Sequence, residues 1–255
     1  MNANMLFWGC FLLVGLILLI LLARQPKKAK AKKDQRMVMR PIPALNEFTH
    51  QQGNAIESGT RVHLSAGTSS ISGEDAGASL LAVTNMEVLA RNAAASDRPL
   101  IATTGDGTTS LLLQSRLHNV YQSLNLKEEY NPLYTQMTGP TPFSYVGGAL
   151  PLVHDGNVSV NIVTGKVGLE AALLAEAGRR EGAYFIGAST DLAGQSVLYP
   201  ASDQPLIGEE MFGTQAVMDA ENPKATAGVK TQDILRIAIC GMLVIGSLLK
   251  LVGVL

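Results

Sequence analysis

The sequence predicts an α/β protein with a mostly parallel sheet and helices on both faces, Rossmann-like, with two similar halves and flanked by N- and C-terminal transmembrane helices. Three observations support this fold class. Short apolar runs of strand length alternate with segments of helical periodicity between residues 43 and 222. Loops rich in Gly, Ser and Thr join each strand to the next helix. A long apolar segment lies near each end of the chain.

These patterns divide the chain into five parts. The predicted parts are an N-terminal transmembrane helix at 1–24, a basic juxtamembrane linker at 25–42, a cytoplasmic α/β domain at 43–222, a linker at 223–232 and a C-terminal transmembrane helix at 233–255.

The N-terminal segment favours a retained membrane anchor. Residues 1–23 carry no charge, and about 20 apolar residues at ~1.5 Å per residue span a hydrocarbon core of ~30 Å. A cleaved signal peptide is the alternative. It needs basic residues before the apolar run and a small-residue cleavage site after it, and neither is present.

The basic linker sets the expected topology. Lys and Arg residues are concentrated from Arg24 to Arg40, directly after the apolar run. The positive-inside bias then places the N-terminus outside and the α/β domain in the cytoplasm, at the inner membrane of the cell. Nucleic-acid binding is the other reading of a basic run, but no aromatic residues are interleaved. Attraction to anionic lipid is the simpler account, so the expected partner is the lipid bilayer and not nucleic acid.

The C-terminal apolar segment is a weaker candidate for a membrane span. Thr231 is a suitable N-cap and Asp233 follows in the first turn, where the helix dipole favours an acid. Arg236 and Lys250 lie toward opposite ends, where basic side chains snorkel to the interface. A helix lying in the membrane plane is the alternative.

The middle domain reads as repeated strand, loop and helix. A helix is expected after Pro43, and a second short helix near 209–218. The Pro- and Gly-rich stretch 130–152 separates the two halves. Such alternation is typical of parallel strands joined by right-handed crossovers. The predicted strands are 61–65, 99–103, 158–163 and 183–187, each followed by a helix.

The loops after these four strands form the candidate ligand-binding site. Ligands of open α/β sheets bind beyond the carboxyl ends of the strands, where backbone N–H groups and hydroxyls hold a phosphate. Turns and N-caps built from small residues are the alternative. The candidate ligand-binding residues are Gly67, Thr68, Ser69, Gly105, Asp106, Gly107, Thr108, Thr164, Gly165, Ser189, Thr190 and Asp191.

None of these loops carries a diagnostic motif. Residues 164–168 lack the spacing and the hydroxyl residue of GxxxxGK[ST], and residues 105–110 lack the third glycine of GxGxxG. Asp106 and Asp191 occupy equivalent loops, and two readings stay open for them: a shared cleft that binds a cation or supplies a base, or plain helix N-terminal acids.

Composition narrows the chemistry further. The cysteines Cys10 and Cys240 lie in opposite terminal segments, which implies no disulfide framework. The histidines are scattered without metal-ligand spacing, so no zinc site is expected, and His63 and His154 have no assignable partner. No GxSxG elbow occurs. The sequence therefore predicts no catalytic residues and identifies no cofactor.

Three segments carry a family resemblance. Residues 42–67, residues 103–108 and residues 184–189 resemble a bacterial membrane-protein family with a domain of unknown function. The resemblance covers most of residues 40–220 and implies a membrane-tethered α/β domain. The family offers no catalytic residues to carry over.

Two functions are expected from these observations. The first is a non-catalytic accessory or scaffold subunit of a membrane-bound complex, in which the α/β domain docks other membrane-protein subunits or a second copy of itself. The second is a membrane-tethered binding domain for a nucleotide or another phosphorylated small molecule. An enzyme comes third, because a fold class does not confer an activity.

Overall fold

The computed structural model describes residues 43–94, 96–214 and 223–251. The unit Ile42–Val229 contains a six-stranded sheet with the strand order β3-β2-β1-β4-β5-β6, and its strand pairings are parallel. The strands are β1 (Arg61–Gly67), β2 (Ile101–Thr104), β3 (Thr135–Met137), β4 (Val158–Lys166), β5 (Tyr184–Ser189) and β6 (Gln204–Leu206).

The sheet is covered by helices on both faces. The α-helices of this unit are α1 (Pro43–Glu57), α2 (Ala76–Ala93), α3 (Gly107–Ser123), α4 (Pro142–His154), α5 (Ala171–Arg180) and α6 (Leu192–Ala201). A further helix, α7 (Pro223–Leu251), belongs for most of its length to a second unit. Short 3₁₀ helices occupy Lys127–Glu129, Pro132–Tyr134 and Gly208–Gly213. The α/β class predicted from the sequence is confirmed.

Strand alternation separates two hydrophobic clusters. On one face, Leu64 and Ile162 pack with residues of α1, α2 and α3. On the other, Val163 and Phe185 pack with residues of α4, α5 and α6. Because successive side chains of a strand point to opposite faces, the central strands are buried on both sides, as parallel sheets require.

Local sequence explains where several helices begin. Asp106 accepts a hydrogen bond from the Thr109 backbone N–H at the start of α3, and Asp191 accepts one from Gly194 at the start of α6. Thr141 caps α4, with Pro142 as its first residue. All three of these starts follow the carboxyl end of a strand.

The predicted transmembrane helices require a correction. Among the described residues, no helix is both long and apolar enough to cross a membrane. The fold class with flanking transmembrane helices and the localisation at the inner membrane are therefore wrong, and the predicted segment 1–24 lies outside the described residues.

Other segments also differ from the sequence predictions. The stretch 130–152, expected to join the two halves, contains β3 and most of α4. The strand β3 was missed because three residues are too few to show a periodic pattern. Residues 223–232, also expected as a linker, lie within α7. The short helix expected near 209–218 is a 3₁₀ helix at Gly208–Gly213, and residues 215–222 lie outside the described part.

Candidate functional site

The candidate site lies at the carboxyl edge of the sheet, where β1 and β4 are neighbours. From β1 the chain continues through α2 to β2 on one side, whereas the connection after β4 leads through α5 to β5 on the other side. The two loops therefore diverge and leave a crevice between them. This arrangement is the topological switch point at which open α/β sheets bind ligands.

Two glycines let the ends of β1 and β4 lie against each other. Gly67 has φ +73° and Gly165 has φ +140°, backbone conformations that L side chains rarely adopt. A Cβ on Gly67 would overlap the Lys166 carbonyl oxygen, and one on Gly165 would overlap that of Ala66. No side chain fits between the strand ends, so the backbone itself forms the floor of the crevice.

Hydroxyl groups join the loop after β1 to the loop after β2. The Ser70 and Thr108 hydroxyl oxygens are 2.8 Å apart, and the Thr109 hydroxyl donates to the Ser69 carbonyl at 2.9 Å. The Gly105 N–H donates to the Gly67 carbonyl at 2.8 Å. The two loops thus form one hydrogen-bonded rim along this side of the crevice.

Carboxylates stand at the helix starts along the same edge. Besides the capping acids Asp106 and Asp191, the Glu170 carboxylate accepts a hydrogen bond from the Gly168 N–H at 2.8 Å, just before α5. The Asp75 carboxylate, before α2, contacts the Lys166 ammonium at 2.5 Å. For Asp106 and Asp191, the geometry matches the reading as helix N-terminal acids.

These contacts shift the pKa values of Asp106 and Lys166. Burial works to raise the pKa of Asp106, but hydrogen bonds from Thr108 and Thr109 outweigh it and hold that pKa below its usual range. The hydrogen bond and charge of Asp75 raise the pKa of Lys166, with smaller contributions from Asp191 and Glu74. The hydrogen bonds to Asp106 thus favour the charged form of that carboxyl group, and the contact with Asp75 favours the charged form of the Lys166 amine.

The predicted ligand-binding residues divide into two groups by exposure. All lie on or beside the ends of β1, β2, β4 and β5. The exposed or partly exposed ones are Thr68, Asp106, Gly107, Thr108, Thr190 and Asp191. The buried ones are Gly67, Ser69, Gly105, Thr164, Gly165 and Ser189. Whether any of them binds a ligand stays a prediction.

Two of the buried hydroxyl residues differ from the others. Ser189 has hydrogen-bond partners within the protein, and Thr164 faces the α1 and α2 side of the sheet. Ser189 donates to the Val167 carbonyl at 2.7 Å and accepts from the Asp191 N–H at 3.0 Å, so it braces the loop after β5. Thr164 is 3% exposed and shares a strand face with Ile162, which packs on the cluster of α1 and α2. Its side chain points away from the α4 side of the sheet.

Sequence reasoning missed Lys166, Asp75 and Glu170. Lys166 and Asp75 are 91 residues apart, and no local spacing links them. Lys166 lies in the segment 164–168. Because this segment does not match the phosphate-loop motif, the sequence predicted no role for Lys166. Only the pairing of β1 with β4 brings these two side chains together.

A buried polar network lies beneath the crevice on the α4 face. His63, fully buried, is 2.8 Å from the Asn161 amide oxygen through Nδ1 and 3.0 Å from the Thr103 hydroxyl through Nε2. The Tyr145 hydroxyl hydrogen-bonds the Ser65 hydroxyl and accepts from the Gly67 N–H at 3.4 Å. These contacts tie β1 to β2, β4 and α4.

Burial sets the protonation of this network. It lowers the pKa of His63 to about 4, against a smaller raising effect of the hydrogen bond to Asn161. Burial likewise raises the pKa of the Tyr145 phenol. Both groups are therefore neutral at physiological pH. The network acts as a fixed support for the strand ends.

The described carboxylates at the carboxyl edge of the sheet are not arranged as the ligands of a metal ion. In the part of the chain that the structure describes, no three His, Cys, Asp or Glu side chains are grouped so as to hold a metal ion. Asp106 and Asp191 instead cap helix N-termini, Glu170 accepts from the Gly168 N–H, and Asp75 contacts Lys166.

The fold and the edge define an open, doubly wound α/β domain with a crevice at its switch point. Residues 3–255 match the family model described as a domain of unknown function, DUF6754, and the chain belongs to that family. The expectation of a family of unknown function is thereby confirmed. No curated protein matches the chain, and no solved structure matches it.

Proposed function

We propose that this chain is a binding domain for a small molecule of the nucleotide class, held at the carboxyl ends of β1, β2 and β4. The observation that carries the proposal is the strand order β3-β2-β1-β4-β5-β6, which puts the switch-point crevice between β1 and β4. Gly67 and Gly165 let the ends of β1 and β4 lie directly against each other, so backbone lines the crevice there.

Hydroxyls and one carboxylate suit the sugar of such a ligand. Thr68, Ser70 and Thr108 lie at the rim with their hydroxyls at least partly exposed. Asp106 follows β2 by two residues, which corresponds to the place where dinucleotide-binding domains carry their ribose-binding acid. Ribose hydroxyls both donate and accept, so a rim of this composition suits them.

The phosphate of a nucleotide finds less support at this edge. Among the described residues at the carboxyl ends of β1, β2, β4 and β5, Lys166 is the only basic side chain, and Asp75 already contacts it. The N-termini of α3 and α6, which otherwise attract anions, are capped by Asp106 and Asp191. A phosphate therefore binds here only by displacing Asp75, and the nucleoside part contributes most of the affinity.

Calorimetric titration of the full-length chain tests this proposal. The probes are adenosine, AMP, ADP and NAD, with guanosine as a second base. We expect saturable binding, with adenosine at least as tight as ADP. The absence of binding heat for all five compounds would contradict the proposal.

A variant pair localises the binding. Asp106→Asn keeps an N-cap residue but loses the charged acceptor, and removal of a charge-assisted hydrogen bond costs about 1.5–3 kcal/mol, roughly tenfold or more in affinity. Glu176→Gln, an exposed carboxylate of α5 paired with Arg180, is the matched control. Equal losses in both variants would place the ligand elsewhere.

A second candidate function is a docking subunit of a protein complex. Phe143, Leu169 and Leu192 are 67%, 60% and 80% exposed, at the starts of the neighbouring helices α4, α5 and α6. Large apolar side chains grouped on a surface favour contact with another protein or a second copy.

Sedimentation of the full-length chain over a range of concentrations tests self-association. We expect replacement of the three residues by Ser to remove it, and a chain that stays monomeric throughout contradicts self-docking.

A further inference from the structure

A cavity lies on the α1 and α2 side of the sheet, away from the crevice. Its volume is ≈ 10 Å³. Most of its wall is apolar, and the polar side chains in it are uncharged. The apolar wall includes Phe48 of α1, Leu89 of α2, Ile162 of β4, Ile186 of β5 and Leu206 of β6.

One polar group in this wall has no partner. The Thr164 hydroxyl is buried and makes no hydrogen bond within the described residues, and the residue is 3% exposed. Thr164 lies two residues after Ile162 on the same strand, so both side chains face the cavity. A buried hydroxyl without a hydrogen bond costs about 1–3 kcal/mol. The molecule therefore carries an uncompensated polar group aimed into the cavity.

A second polar group faces it from the helix side. Asn85 of α2, 4% exposed, accepts a hydrogen bond from the Thr214 hydroxyl through its amide oxygen at 3.1 Å. The Met211 carbonyl lies 2.8 Å from the same hydroxyl and competes for its single proton. An amide oxygen has two lone pairs, so the Asn85 oxygen accepts a further hydrogen bond when another donor is present.

We propose that this cavity is a binding site for one structural water molecule that bridges Thr164 of β4 and Asn85 of α2. The volume is at the lower limit for one water. Water both donates and accepts, so it serves the hydroxyl and the amide together. An ion is disfavoured because no charged side chain lies in the wall, and an apolar molecule leaves the Thr164 hydroxyl unpaired.

The bridge links the sheet to its covering layer at a defined point. Thr164 precedes Gly165 by one residue, so the water holds β4 directly beneath the floor of the crevice. On the other side, Asn85 connects to Thr214, which directly follows the 3₁₀ helix Gly208–Gly213. This site is separate from the ligand-binding proposal and stands without it.

Thr164→Val tests the site because the two outcomes have opposite signs. The change replaces the hydroxyl by a methyl group of similar size. If a water bridges Thr164 and Asn85, the variant loses hydrogen bonds and its urea unfolding midpoint falls. If the hydroxyl is unpaired, its removal relieves a penalty and the midpoint rises. We expect the midpoint of the full-length chain to fall, and a rise overturns the proposal.

A crystal structure of the full-length chain gives the direct readout. We expect density for one water within hydrogen-bonding distance of both Thr164 Oγ1 and the Asn85 amide. Thr164→Ser, which keeps the hydroxyl, is the control and retains that density. If Thr164→Val does not fold, the density in the wild-type protein decides alone, and a site without density refutes the inference.

Discussion

The Lys166 ammonium meets the Asp75 carboxylate at 2.5 Å, although 91 residues separate the two in sequence. Lys166 ends β4 and Asp75 precedes α2, the helix that follows β1, so the contact joins the segments after the neighbouring strands β4 and β1. It is the ion pair that spans the switch point in the described part of the chain. Its position makes it a competitor for any anion that enters the crevice.

The ion pair is expected to affect ligand preference more than stability. Its side chains are 47% and 34% exposed, and exposed pairs contribute about 0–1 kcal/mol. Asp75→Asn therefore changes the free energy of unfolding by less than about 1 kcal/mol. If nucleotides bind at the crevice, the variant binds AMP more tightly relative to adenosine. Glu176→Gln, which breaks the distant pair with Arg180, leaves that ratio unchanged. Calorimetry provides the comparison.

Acid is expected to destabilise the fold through His63. Burial lowers its folded-state pKa to about 4 from 6.5, so the unfolded chain binds more protons between these values. The contribution of His63 to the free energy of unfolding is fully present above pH 6.5. It falls by up to about 3 kcal/mol as the pH decreases toward 4. Urea unfolding at several pH values measures the slope. His63→Gln removes this contribution, and parallel curves for the two proteins would refute the assignment.

The Tyr145 hydroxyl is expected to stabilise the strand ends. Tyr145→Phe leaves the Ser65 hydroxyl and the Gly67 N–H without this partner, at a cost of about 1–3 kcal/mol. Tyr199→Phe, on a side chain that is 61% exposed, is the matched control and changes the free energy of unfolding little. A similar effect of both changes in chemical unfolding contradicts the role of the buried network.

Gly165 is expected to be intolerant of substitution. Its φ of +140° and the overlap of a Cβ with the Ala66 carbonyl predict that Gly165→Ala destabilises by more than about 1 kcal/mol. Gly147, within α4, has no neighbour within 4 Å of an added Cβ. Gly147→Ala is therefore expected to stabilise by about 0.5–1 kcal/mol through helix propensity. In thermal unfolding, the midpoint of Gly165→Ala should fall and that of Gly147→Ala should rise. Midpoints that shift in the same direction would contradict this expectation.

The local elements of the sheet domain were largely predictable. The segment 61–65 was predicted to be a strand, and the structure extends this strand, β1, to Gly67. Asp106 and Asp191 marked helix starts that the structure confirms. Each carboxylate caps its helix by accepting a hydrogen bond from a backbone N–H three residues later, so the signal is local. β3 was not predictable, since three residues show no periodicity.

The terminal segments show the limit of composition as evidence. An apolar run at the C-terminus favoured a transmembrane helix, but among the described residues no helix combines the length and the apolar character that a membrane span needs. The structure extends the helix back to Pro223, through residues that composition assigned to a linker.

The sequence by itself determined the α/β class and the position of the loops that surround the crevice. Those properties depend on side-chain period, turn residues and caps, which act over a few residues. Only the tertiary structure decided the strand order, the Lys166–Asp75 pair, the His63 network and the unpartnered Thr164 hydroxyl. Each of these requires strands distant in sequence to become neighbours, and that choice depends on the packing of the whole sheet.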